Sequence, residues 1–181
     1  MALKATIFKA DLQIADMDRS HYGSHALTLA RHPSETDERL MMRLLAFCLY
    51  ASDRLRFGRG LSTEDEADLF DPDPTGLIEH WIDVGTPDPR DIRKACGKAR
   101  RVTVLAYGRT VPTWWRQHHE ALSGQPNLSV LSLAPEASAA LAALAERNME
   151  VQCTIQDSLV WFTCAGTTIE LHPEPLRTMQ A

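Results

Sequence analysis

The chain has 181 residues, 24 acidic against 19 basic side chains, and a formal net charge of −5. Its 44% hydrophobic and 24% charged content is that of a soluble globular protein long enough to bury a core without disulfides or metal, so one domain spanning residues 1–181 is expected. The mild acidity excludes indiscriminate coating of nucleic acid, and no apolar run approaches the roughly 20 residues that span a bilayer.

Residues 3–14 alternate, with Phe8, Ala10, Leu12 and Ile14 set against Lys9, Asp11 and Gln13. That is the period of a half-buried strand. Lys4, Lys9 and Asp11 also interrupt what would otherwise resemble a secretory leader, so a cytoplasmic location is expected; the chain is also expected to be a monomer. Residues 25–31 read as a second strand, forming a hairpin with the first. Pro33 and Ser34 open a helix that runs to about Asp53, with Ser34 as its cap and Met41, Leu44, Leu45 and Cys48 on its buried stripe. Residues 58–76 are rich in acids and turn formers. Residues 77–85 read as a strand, 86–101 as a proline-initiated helix, and 102–107 as a short apolar strand. A helix over 111–122, a strand over 127–134 and an Ala/Leu-rich helix over 135–148 follow. Two or three tail strands complete the chain, and the last ten residues are expected to fray. The alternation of strands and helices predicts an α/β domain, with one mixed sheet flanked by helices.

Ten of the 24 acids lie between Glu64 and Asp91, and six of the 19 bases lie between Arg90 and Arg101. Such neighbouring blocks are most simply a solvated face with surface ion pairs. Their placement adds a second meaning. In the strand at 77–85, Glu79, Trp81 and Asp83 share one face, and His80, Ile82 and Val84 the other. Glu79 and Asp83 stand roughly 13 Å apart along the strand, too far to ligate one metal together. Asp68 precedes this strand across the turn at 71–76. A tight hairpin would set Asp68 opposite Glu79, and a longer irregular turn would slide it toward Asp83. The following helix carries Lys94 and Lys98 four residues apart on one face. Glu35 and Glu38 occupy the start of the helix at 34–53. Carboxylates with a lysine are the minimum for metal-dependent phosphodiester cleavage. Oxygen ligands hold Mg²⁺ or Mn²⁺, the metal activates water, and the lysine meets developing phosphate charge.

Several segments carry a resemblance that runs along essentially the whole chain in order: MALKATI at the N-terminus, LTLARHPSETDER at 27–39, RKACG at 93–97, WW at 114–115, NLSV at 127–130 and TIQD at 154–157. The chain resembles the YaeQ family of bacterial proteins. That resemblance implies a compact variant of the restriction-endonuclease-like PD-(D/E)xK nuclease fold. By the same resemblance, the first acid falls on Asp68, with Ala67 in place of the proline. The strand acid falls on Asp83, or else on Glu79, and the helix acid on Glu38 or Glu35. Neither strand triplet ends in lysine, so Lys94, or Lys98 after it, takes that role. The implied metal ligands are Asp68 and Asp83, with Glu79 as the other strand acid. The implied partner is DNA or RNA. The missing strand lysine and the acidic charge favour an alternative, a non-catalytic nuclease-fold module acting through a protein or nucleic-acid partner.

Other residues read more plainly. His118 and His119 are adjacent on a helix and point about 100° apart, so they do not chelate as a pair. Trp114 and Trp115 are a core anchor and a partly exposed ring. The four cysteines, Cys48, Cys96, Cys153 and Cys164, are scattered and expected as free, mostly buried thiols.

Overall fold

In the computed structural model, residues 3–59 and 65–181 are described. Residues 1–2 and 60–64, including Glu64 of the acid-rich segment, lie outside them. Strand β1 (Thr6–Asp16) turns its apolar set inward: Phe8, Ala10, Leu12 and Ile14 are buried, while Lys9, Asp11 and Gln13 face out. Its hairpin partner β2 (His21–Arg31) pairs with it in antiparallel register along its length. Ser20, at φ 54°, closes the turn between them.

Helix α1 (Asp37–Tyr50) begins later than the sequence suggests. Thr36, not Ser34, caps it, and the Thr36 hydroxyl accepts from the Arg39 amide at 3.1 Å. Ser34 instead bonds the His32 ring at 2.7 Å. Nor is the buried surface of α1 a stripe, since every residue from Leu40 to Cys48 is buried. The reason lies in the layering. A single mixed sheet was expected, but the chain builds two, and α1 lies between them.

The first sheet joins the hairpin to the tail. Its order is β10-β9-β8-β1-β2, with β8 (Asn148–Gln156) parallel to β1 and followed by the antiparallel strands β9 (Leu159–Cys164) and β10 (Thr167–Leu171). The second sheet has the order β11-β7-β6-β5-β4-β3. Its centre is three parallel strands, β5 (Ile78–Val84), β6 (Ala99–Tyr107) and β7 (Leu128–Leu133). Helices α2 (Pro89–Lys98) and α3 (Val111–Leu122) make the crossovers that parallel strands require. Short antiparallel strands β3 (Arg56–Phe57) and β4 (Leu69–Pro72) extend one edge.

On the other edge, β11 (Glu174–Arg177) pairs with β7. The tail therefore does not fray there as expected. Arg177 ties it down by donating to the carbonyl oxygens of Gln125 at 2.7 Å and Ser123 at 3.2 Å. Helix α4 (Pro135–Ala142) is shorter than its Ala/Leu pattern suggested and packs on α1.

Two cores result. The larger joins β1, β8 and β9 through α1 to Leu69, Ile82, Val84 and Leu105 of the second sheet. The smaller lies on the opposite face of that sheet, where Trp81, Val102, Val104 and Val130 meet Ile92 and Ala95 of α2 and Trp114 of α3. A fully buried leucine such as Leu44 stabilises the fold by roughly 1.5–3 kcal/mol relative to its exposed state. The three most buried cysteines, Cys48, Cys153 and Cys164, lie in the larger core as free thiols, and Cys96 is half-buried. No helix among the described residues is long and apolar enough to cross a membrane.

Candidate functional site

The turn between β4 and β5 decides which acids meet. Asp73 anchors it, its carboxylate oxygen Oδ1 accepting from the Thr75 amide at 2.8 Å, the Thr75 hydroxyl at 2.6 Å and the Leu77 amide at 3.0 Å. Gly76 follows at φ 90°, a conformation that favours glycine. The pairing then slips by one residue between Asp71 and Pro72 and leaves Glu79 as the bulged residue. Beyond the bulge, Leu69 pairs with Ile82, so Asp68 comes opposite Asp83. This is the longer, irregular turn of the two that the sequence allows.

Asp68 and Asp83 are locked together through their backbones. The Asp68 amide donates to Asp83 Oδ1 at 3.2 Å, and the Val84 amide donates to Asp68 Oδ2 at 2.8 Å. The Trp81 indole N–H donates to Asp83 Oδ2 at 2.8 Å. Arg39 reaches from α1 to Asp68 Oδ1 at 2.5 Å, and its other guanidinium nitrogen reaches Glu35 at 3.1 Å. Arg43, one helical turn on, clasps Glu35 at 2.7 and 2.9 Å and also donates to the Ala30 carbonyl at 3.0 Å. Glu35, Arg39 and Arg43 therefore form one charge ladder that enters the protein beside the carboxylate pair.

Burial pushes the Asp83 carboxyl up to about 6, and the neighbouring Asp68 charge adds to the shift. The Trp81 N–H, the Asp68 amide and Arg39 oppose it without cancelling it. Burial also pushes the nearby Tyr107 hydroxyl up to about 12, so it stays protonated at neutral pH.

These groups open on a pocket of about 480 Å³. Arg39, Asp68, Trp81, Asp83 and Tyr107 line it together with Asp91, Lys94 and Lys98 of α2. Lys94 is well exposed, with Nζ 3.8 Å from Asp91. Lys98 Nζ lies 4.0 Å from Asp65 and 5.8 Å from the centre of the Trp81 ring. The preceding loop places both lysines here: Asp88 caps α2 by accepting from the Arg90 amide, and the Trp114 indole holds the Pro87 carbonyl at 3.0 Å.

Asp68, Asp83 and Lys94 thus line one pocket, and Glu35 stands behind it, joined to Asp68 through Arg39. Glu79 is turned elsewhere and pairs with Arg100 at 3.4 Å. Glu38 faces α4, accepting from the Ser138 hydroxyl at 2.6 Å, and borders a different depression with Arg109 and Glu136. His118 and His119 pack against Trp114 and Trp115 respectively.

Sequence reasoning did not single out Arg39, Arg43 or Tyr107. The signal for the arginines was present: Glu35, Arg39 and Arg43 follow one another at four-residue spacing, and Arg43 lies within an otherwise apolar helix.

The donor set can be tested against a hard cation. Asp68 and Asp83 offer oxygen only, the chemistry Mg²⁺ prefers, and Mg²⁺ is commonly held by one or two carboxylates together with water and substrate phosphate. Among the described residues no group of three or more His, Cys, Asp and Glu side chains is arranged to hold a metal, so a closed all-protein cage is not present there. Each of the four carboxylate oxygens accepts one protein hydrogen bond and keeps a second lone pair. The pair therefore fits an open two-carboxylate site.

Residues 1–173 match a family model described as YaeQ protein. The YaeQ protein of Salmonella typhi is 47% identical over 173 residues, covering 95% of this chain and 96% of its own. That of Escherichia coli K12 is 44% identical over the same length. Both are described as uncharacterized. The crystal structure of the YaeQ protein from Xanthomonas axonopodis pv. citri superposes with a TM-score of 0.93 at 48% identity, covering 96% of this chain and 99% of that one. The YaeQ protein from Pseudomonas syringae superposes equally well, with a TM-score of 0.93 at 31% identity over 98% of each chain.

Proposed function

We propose that this chain, which belongs to the YaeQ family, is a Mg²⁺-dependent phosphodiesterase acting on DNA or RNA, built on a PD-(D/E)xK-like core. The observation that carries this reading is the meeting of Asp68 and Asp83 across β4 and β5, with Lys94 lining the same pocket. Asp68 and Asp83 would hold the cation, with Mn²⁺ as a substitute. When bound, it would supply Lewis acidity at the phosphate and lower the pKa of a bound water.

The chain's own residues do the remaining work. Lys94 and Lys98 place positive charge where a phosphate enters, which favours both binding and the charge that develops on the phosphoryl oxygens. In this reading Lys94 takes the role of the missing strand lysine. Arg39 holds Asp68 in one orientation and is itself held by Glu35, so Glu35 is a positioning residue. Neither Glu38 nor Glu79 has a part in this reading, because neither faces the pocket.

A second reading rests on one specific contact. Arg39 already places a positive charge on Asp68, as a cation would. A module that keeps the fold and uses the pocket only to bind a protein or nucleic-acid partner is consistent with that contact.

Thermal unfolding with MgCl₂ or MnCl₂, followed by assays on single- and double-stranded DNA and RNA, separates the two. The enzymatic reading expects either cation to raise the Tm of the natural protein but not of Asp83→Asn. It also expects cleavage that Asp68→Asn, Asp83→Asn and Lys94→Ala abolish. Lys94 is well exposed, so Lys94→Ala should leave the Tm unchanged while activity falls. No cation response together with no cleavage would overturn the enzymatic reading in favour of the binding module.

A further inference from the structure

A second cluster of ligand-bearing side chains lies far from Asp68 in the sequence, on the edge strand β2. His21 and His25 are four residues apart, so their backbones are separated by roughly 13 Å of extended chain. Both side chains emerge on the same face, with Gly23 between them. Their rings lean toward each other over this glycine until the two Nε2 atoms are 3.2 Å apart. A Cβ at position 23 would lie 3.6 and 3.7 Å from those nitrogens, ordinary contact distances, so both rings sit directly over the glycine.

Two features make this convergence chemically specific. Two imidazole nitrogens bound to one tetrahedral Zn²⁺ at about 2.0–2.1 Å stand about 3.3 Å apart, close to the separation found here. The rings are also backed by packing. His25 meets Phe47 edge-on at 5.2 Å between centroids, and Phe47 stacks on Phe57 at 5.6 Å.

We propose that His21 and His25 form a two-histidine site for a late first-row divalent cation, Zn²⁺, Ni²⁺ or Cu²⁺. Nitrogen ligands select these ions over Mg²⁺, which prefers oxygen. The two imidazoles supply two positions. Water fills the others. The site is separate in chemistry and in residues from the carboxylate pair, and it does not depend on the function proposed for that pair.

Calorimetric titration with Zn²⁺ and electron paramagnetic resonance with Cu²⁺ test the site on the full chain. One equivalent should bind, and the Cu²⁺ spectrum should carry hyperfine coupling to two imidazole nitrogens. His21→Gln and His25→Gln should each weaken Zn²⁺ binding at least about tenfold, the low end of the loss seen when even an outer group around a metal is removed. Unfolding curves recorded without metal establish that both variants are folded. His118→Gln, His119→Gln and Asp83→Asn should leave the titration unchanged. No binding by the natural protein, or binding that survives both His21→Gln and His25→Gln, would overturn the proposal. In that case the ring contact is only a hydrogen bond shared between two imidazoles.

Discussion

Asp68 and Asp83 face each other across β4 and β5, and the Asp68 backbone amide donates to the Asp83 carboxylate at 3.2 Å. The backbone bond thus holds close together two carboxylates whose charges repel. Burial raises the Asp83 carboxyl, the neighbouring Asp68 charge adds to the rise, and together they make it sensitive to pH and to substitution.

The first prediction concerns pH. In the folded state the Asp83 carboxyl titrates at about 6, above its ordinary value of 3.8. The folded state therefore binds its proton more tightly than the unfolded state does. The stabilisation this confers is complete below about pH 4 and is lost as the pH rises through about 6. Asp83→Asn carries no charge and escapes the loss. Its Tm relative to the natural protein should therefore be higher at pH 8 than at pH 4, by an amount equivalent to at most about 3 kcal/mol. Hydrogen bonds altered by the amide contribute equally at both pH values and cancel. A difference in Tm that stays constant from pH 4 to pH 8 would contradict the assignment.

Trp81 restrains the same group. Its indole N–H donates to Asp83 Oδ2 at 2.8 Å and favours the ionised form. Trp81→Phe should raise the Asp83 titration further above 6 and cost about 1–3 kcal/mol of stability for the lost charge-assisted bond. Carbon NMR of the Asp83 carboxyl across the pH range reads the first effect, and urea unfolding reads the second.

Glu35 and Glu38 separate a positioning acid from a peripheral one. The side chains of Glu35 and Arg43 are 1% and 2% exposed, and removing the acid strands a buried guanidinium. Glu35→Gln should cost about 3–5 kcal/mol. Glu38→Gln keeps an acceptor for Ser138 and should cost under about 1 kcal/mol. Similar losses for the two variants would show that the ladder contributes little.

Gly58 and Gly97 make a contrasting pair. The Gly58 amide donates to the Asp68 carbonyl at 2.9 Å, and a Cβ at Gly58 would fall 1.9 Å from the backbone oxygen of Ala67. Gly58→Ala must push β3 away from the start of β4, so it should cost about 1–3 kcal/mol and displace Asp68. Any cation response at the carboxylate pair should weaken with it. Gly97 lies in α2, where an added Cβ would meet nothing within 4 Å, so Gly97→Ala should add about 0.5–1 kcal/mol. Equilibrium unfolding of the two variants checks both signs.

Much was legible in the residues alone. Alternation of Phe8, Ala10, Leu12 and Ile14 specified β1 because side chains in a strand alternate between faces. The boundaries of α3 at Val111 and Leu122 follow from Pro112 and from the turn formers after Leu122. The acids and lysines of the candidate site were all nameable from their residue types, and family resemblance pointed to the same stretch. These features depend on near neighbours in the chain, and near neighbours are what a sequence displays.

Other features needed the tertiary structure. The choice between Glu79 and Asp83 as the partner of Asp68 turned on one bulged residue, and a slip of one residue changes every pairing that follows it. The division into two sheets depends on β1 pairing with β8, more than 130 residues away, a contact no local pattern encodes. That division also turned the expected stripe of α1 into a segment, Leu40 to Cys48, buried on all sides. Arg39 acquires its meaning only when α1 brings it to Asp68, 29 residues on. Local periodicity determined the elements and the residue types available for chemistry. Register and long-range packing decided which of those residues meet, because both are set by free energy summed over the whole fold.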